Sequence, residues 1–126
     1  MNKVKVTKKQ KDEVTSYIKK WKGILFLSAW CVDVRYHEDS TSEYIIINMS
    51  PEYMNAVIDI HMSFFDEPEA YRREEIICHE LCHIVVQPLI QIAADAACGN
   101  LLSQREIDWN KELVTQHITR SIFWKS

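Results

Sequence analysis

Glycine and proline are scarce in this chain, with two and three in 126 residues. Disordered segments and long linkers are rich in such residues. Their scarcity predicts a single domain over residues 1–126, long enough to build one core without staples. No internal repeat and no low-complexity segment breaks that unit. No apolar run approaches the roughly 20 residues that a helix needs to cross a bilayer, so no membrane association is expected. The opening residues, Met1-Asn2-Lys3-Val4-Lys5-Val6, contain no apolar h-region, and no secretory leader is expected. The four cysteines, Cys31, Cys78, Cys82 and Cys98, include no C-x-x-C pair, which excludes a zinc ribbon. Without a leader they read as reduced thiols, and the expected location is cytoplasmic.

What the chain does have is an uneven charge. Residues 1–22 carry eight lysines against Asp12 and Glu13, a net +6, and the remainder carries −9. A basic arm can bind nucleic acid. Here the lysines interleave with Val14, Tyr17, Ile18 and Trp21 at i, i+3, i+4, i+7. That spacing predicts an amphipathic helix over about 8–22 with its lysines in water, capped by Thr7 and stopped by Gly23. Nucleic acid is therefore not the expected partner, and a monomer is expected.

Alternation then marks β structure. Ile24–His37 puts Phe26, Trp30, Val32, Val34 and Tyr36 on one face. Glu38–Ser42 reads as a polar turn, Glu43–Met49 as a strand and Ser50-Pro51 as its end. Asn55–Phe65 alternates Ala56, Ile58, Ile60, Met62 and Phe64 against Val57, Asp59, His61, Ser63 and Phe65, a third strand. Short connections predict mainly antiparallel pairing. Asp66-Glu67-Pro68-Glu69 resembles a capping box opening a helix that ends or kinks at Gln87-Pro88. Two further helical pieces follow, Leu89–Cys98, closing at Gly99-Asn100, and about 104–124. The fold class is α+β: an N-terminal helix, a small three-stranded sheet, a motif-bearing helix and C-terminal helices.

The chemistry lies in Cys78-His79-Glu80-Leu81-Cys82-His83. This is H-E-x-x-H, and a chance match in a chain this long is on the order of a few in a thousand. Residues four apart share a helix face, so His79 and His83 can grip one ion while Glu80 reaches a water beside it. Ile76, Ile77, Leu81, Ile84, Val85 and Val86 surround the motif, which predicts a buried helix. Burying two imidazoles and a carboxylate without partners is costly, and a divalent metal would satisfy all three. Cys78 and Cys82 lie about 100° around the helix from the adjacent histidines and read as small buried hydrophobes.

Catalytic zinc takes three protein ligands and leaves one position open. The Gly and third His that extend H-E-x-x-H in metzincins are missing after His83. A carboxylate on a later helix is the simplest solution: Asp95, Glu106, Asp108 and Glu112 qualify by type. Glu112 is preferred, because it lies one helix beyond the motif on a polar strip with Asp108, Thr115 and Thr119.

Taken in order, these elements resemble a minimal zincin of the gluzincin type, the single-domain minigluzincins. The resemblance covers most of the chain in the order of its elements and is sharp at the motif. It implies metal ligands at His79, His83 and Glu112, a general base at Glu80, and a zinc-dependent peptidase acting on a peptide or protein. SprT-like peptidases share the motif but carry a zinc ribbon that this chain lacks.

The expected chemistry is hydrolysis by water activated at Zn2+, with Glu80 moving the proton. Asn55–Phe65 is the strand expected to hold an extended peptide. His61, His117, Tyr36, Tyr44, Tyr53 and Tyr71 are candidate oxyanion stabilisers by type. The alternative is a catalytically inactive zinc-binding module that meets a protein or nucleic acid through the basic N-terminal helix. A third reading is an apo structural protein whose histidines bond to core groups.

Overall fold

Thr7 opens the first helix with a complete capping box. Its Oγ1 accepts from the Gln10 N–H at 3.1 Å, and the Gln10 side chain accepts from the Thr7 N–H at 2.9 Å. In the computed structural model, which describes residues 5–38, 44–50, 53–97 and 104–123, this helix, α1, spans Lys8–Ile24. The side chains of 88–97, Gln104 and Ile107 lie outside the description. Val14, Ile18 and Trp21 are buried and Tyr17 is half-buried, so the apolar stripe faces the core.

The stop of α1 differs from expectation. Gly23 stays inside the helix, and Phe26 takes the left-handed position at φ 57°. Phe26 N–H reaches Gly23 O at 3.2 Å and Leu27 N–H reaches Lys22 O at 2.8 Å, the two bonds of a Schellman ending. The turn through 25–30 consumes the first half of the expected strand, and Phe26, 93% exposed, leaves the strand face assigned to it.

Three strands follow: β1 (Cys31–His37), β2 (Ile45–Ser50) and β3 (Asn55–His61). Their spatial order is β1-β3-β2. β2 pairs with β3 antiparallel, as short connections favour, whereas β1 pairs with β3 in parallel. The α+β class and the three-stranded sheet are those read from the sequence; the sheet is mixed because β3 separates the first two strands. Ala56, Ile58 and Ile60 of β3 are buried, as the alternation requires.

The third strand ends at His61 rather than Phe65. His61 is the last residue with a partner on β1, and Met62–Asp66 coil into a 3-10 turn that buries Phe64. Helix α2 (Ala70–Ala97) consequently starts later than expected, and Asp66 lies in the preceding turn rather than in a capping box. Its acidic neighbours are used locally. Glu67 accepts from the Glu69 N–H at 3.4 Å, and Arg73 Nη1 donates to Glu67 O at 2.6 Å.

Helix α2 continues through Pro88, so residues 89–97 extend it and do not form a separate helix. A proline inside a helix removes one backbone bond at a cost of roughly 3 kcal/mol. The buried run Ile77, Leu81, Ile84 and Val86 anchors the helix up to that point. Helix α3 (Gln104–Phe123) completes the described chain. The turn expected at 38–42, the break at Ser50-Pro51 and the stop at Gly99-Asn100 lie wholly or partly outside the described residues.

Polar contacts lock α1 to the start of α2, which fixes the helix that carries the motif. Glu74 accepts from Lys20 Nζ and from Trp21 Nε1, both at 2.8 Å. Glu13 accepts from Arg73 Nε at 2.8 Å and from the Tyr17 hydroxyl at 2.9 Å. Trp21 also stacks on Phe123 of α3, centroids 5.4 Å apart.

Candidate metal centre

One turn of α2 separates His79 from His83 and turns both rings to the same side. The rings meet edge to face, centroids 4.9 Å apart. The helix is not apolar all round as expected: Ile77, Leu81, Ile84 and Val86 are buried, Ile76 is half-buried and Val85 is exposed. Cys78 and Cys82 are fully buried in the core, consistent with their reading as small hydrophobes. A hydrogen bond with Cys82, with burial adding to it, holds the Cys78 thiol well above its usual range.

Helix α3 supplies the facing groups. Glu112 Oε2 stands 3.4 Å from His79 Nε2, and its Oε1 stands 3.3 Å from His83 Nε2. Behind the rings, His79 Nδ1 is 2.6 Å from Gln116 Oε1 and His83 Nδ1 is 3.4 Å from Thr115 Oγ1. Thr115 is buried and donates to Lys111 O at 2.7 Å. Glu112, Thr115 and Gln116 are three and four residues apart, so a single face of α3 covers both imidazoles.

The distances at Glu112 are informative. A charge-assisted N–H···O bond closes to about 2.7–2.9 Å. Two donors held at about 2.0–2.1 Å by one tetrahedral ion stand about 3.3 Å apart. The separations of 3.3 and 3.4 Å, one to each carboxylate oxygen, are of that size and longer than a closed ion pair. A cation between these atoms would satisfy both nitrogens and the carboxylate, so the donor set fits a divalent metal.

Glu80 clusters with the two histidines: ligand atoms of His79, Glu80 and His83 all lie within 4.8 Å of one another. Burial, reinforced by the charge on Glu112 and opposed by Lys111, raises the Glu80 carboxyl to about 8. Burial lowers His83 to about 4; Glu112 opposes that fall, while His79 and Lys111 add to it. His83 is therefore neutral near pH 7, the form that offers a lone pair to a metal.

The cleft in front of these groups is walled by Tyr44, by β2 from Ile45 to Met49, and by Gln87 and Lys111. This corrects the expectation that β3 holds an extended peptide. β3 is the central strand, hydrogen-bonded on both sides, and β2 is the edge strand beside the cleft.

The other candidates fare differently. Glu106 and Asp108 are exposed on α3 and line no part of the cleft, and the Asp95 side chain lies outside the described residues. Among the suggested oxyanion stabilisers, Tyr44 lines the cleft, whereas His61, His117, Tyr36, Tyr53 and Tyr71 do not. His61 stacks instead on His37, centroids 4.9 Å apart, and His37 bonds to Asp59 at 2.8 Å. Lys111, Thr115 and Gln116 were not anticipated as site residues. The i+4 spacing of Gln116 from Glu112 was the one available signal.

Comparison with known protein families, curated proteins and solved structures returns no match. The functional reading therefore rests on the motif and on this geometry.

Proposed function

We propose that this protein is a zinc-dependent peptidase in which His79, His83 and Glu112 hold the ion and Glu80 is the general base. The observation that carries the reading is the Glu112 carboxylate, whose two oxygens face the two Nε2 atoms at 3.4 and 3.3 Å. Two nitrogens and a carboxylate form a donor set suited to zinc, with a fourth position left for water. A bound ion would supply Lewis acidity, polarising the scissile carbonyl and acidifying a water molecule.

The remaining steps belong to the chain's own side chains. Burial and the Glu112 charge hold Glu80 protonated, an effect that a cation beside it would oppose. The ionised Glu80 would take the proton of the attacking water and return it to the leaving amine, as base and then acid. The edge of β2 that has no strand partner among the described residues offers backbone N–H and C=O groups to an extended peptide, which would lie along the cleft as an added strand. Lys111 is the cation in the cleft wall, available to charge that develops during the reaction.

Elemental analysis together with a Glu80→Gln variant tests the proposal. The variant should keep one zinc per chain and its fold while losing hydrolysis of unstructured protein substrates by about 100-fold or more. A wild-type chain that takes up no zinc and shows no thermal shift on its addition would overturn the reading.

A further inference from the structure

Each imidazole has two nitrogens, and only the one without a proton can accept a metal. The groups behind the rings decide which nitrogen that is. Gln116 presents Oε1, a pure acceptor, to His79 Nδ1 at 2.6 Å. Such a contact requires the proton on Nδ1. The Thr115 hydroxyl spends its single hydrogen on Lys111 O at 2.7 Å, so toward His83 Nδ1 it can only accept, at 3.4 Å. Both arrangements leave Nε2 bare and directed at Glu112.

We infer that Gln116 and Thr115 are positioning residues that hold His79 and His83 in the Nδ1–H tautomer and so keep both Nε2 lone pairs open to the metal. The alternative arrangement explains why this matters. With the proton on Nε2, either ring could donate to Glu112, and that hydrogen bond would consume a ring lone-pair position and a carboxylate oxygen together. Gln116 and Thr115 draw the protons to the far side of the rings and disfavour that closed state. Both are neutral, so they set orientation without adding another negative charge beside Glu112. The metal-binding consequence rests on the peptidase reading; the tautomers are properties of the metal-free chain and stand apart from it.

The test is two-dimensional 1H–15N NMR of the histidine rings in the full-length, metal-free protein at pH 8. Wild-type His79 and His83 should both show a protonated Nδ1 and a bare Nε2. Gln116→Met, which keeps the length and removes the acceptor, should move His79 toward Nε2–H and weaken zinc binding about 10-fold or more in chelator competition. Gln116→Glu, which restores an acceptor, should return the Nδ1–H form. Thr115→Val should shift His83 in the same way, and Thr115→Ser should restore it. Nε2–H rings in the wild type, or a Gln116→Met protein with unchanged tautomer, would overturn the inference. Nδ1–H rings in a chain that binds no zinc would uphold it while removing the peptidase reading. Should Gln116→Met fail to fold, the wild-type tautomers still decide.

Discussion

Glu112 faces two ring nitrogens at 3.3 and 3.4 Å, and the partners behind those rings place acceptor against acceptor in the metal-free protein. Glu112→Gln replaces one carboxylate oxygen with an amide donor of the same size. The metal-free variant should be more stable than wild type by about 1 kcal/mol, the net worth of an ordinary hydrogen bond. Its zinc affinity should fall at least 10-fold. Urea denaturation in chelator and zinc competition measure the two effects, and a fall in both would argue against crowded acceptors at this position. His79, Glu80 and His83 were legible because helical spacing alone brings them together. Glu112 could be preferred only by residue type and its place on a polar strip one helix beyond the motif, since 33 positions separate it from His79 and no local rule spans that gap. Thr115 showed only as a member of that polar strip and Gln116 only by its i+4 spacing from Glu112, because a hydroxyl and an amide on a helix are ordinary until the opposing ring is known.

Between elements, the α1–α2 clamp puts the Tyr17 hydroxyl against Glu13 at 2.9 Å. Burial, with this bond adding to it, raises Tyr17 from about 10 to about 12. The folded state therefore prefers the neutral phenol. That contribution is complete below pH 10 and is lost as pH rises from 10 through 12. Tyr17→Phe should flatten part of the fall in stability across this window, read by urea denaturation at pH 9 and pH 11. Tyr36, also raised chiefly by burial, keeps the remainder. An unchanged slope would mean that Tyr17 keeps no such preference in solution. The amphipathic stripe of α1 was legible because its period is local. The ends of elements were less so: Phe26 displaced Gly23 as the left-handed residue, α2 passed through Pro88, and alternation ran on past His61 where ladder partners had run out. In each case packing or pairing across the fold overrode a local preference.

At the scale of the molecule, α1 contributes Val14, Ile18 and Trp21 to the common core. Fully burying side chains of this size is worth about 1.5–3 kcal/mol each, and whole domains are stable by only about 5–15 kcal/mol. Removing residues 1–22 should therefore abolish cooperative unfolding, followed by circular dichroism against temperature. A truncated chain that still melts sharply would make the segment a detachable arm. The class and the number of strands were legible from the sequence, but the sheet order was not. A short connection between β1 and β2 suggests neighbours, yet β3 lies between them. This order has a kinetic consequence. The two strands made first have nothing to bond to each other, so a nascent chain cannot store them as a finished hairpin. Both must wait, edges bare, until β3 arrives; β2 and β3 can then close as a local antiparallel pair, and β1 joins last through the longer-range parallel pairing.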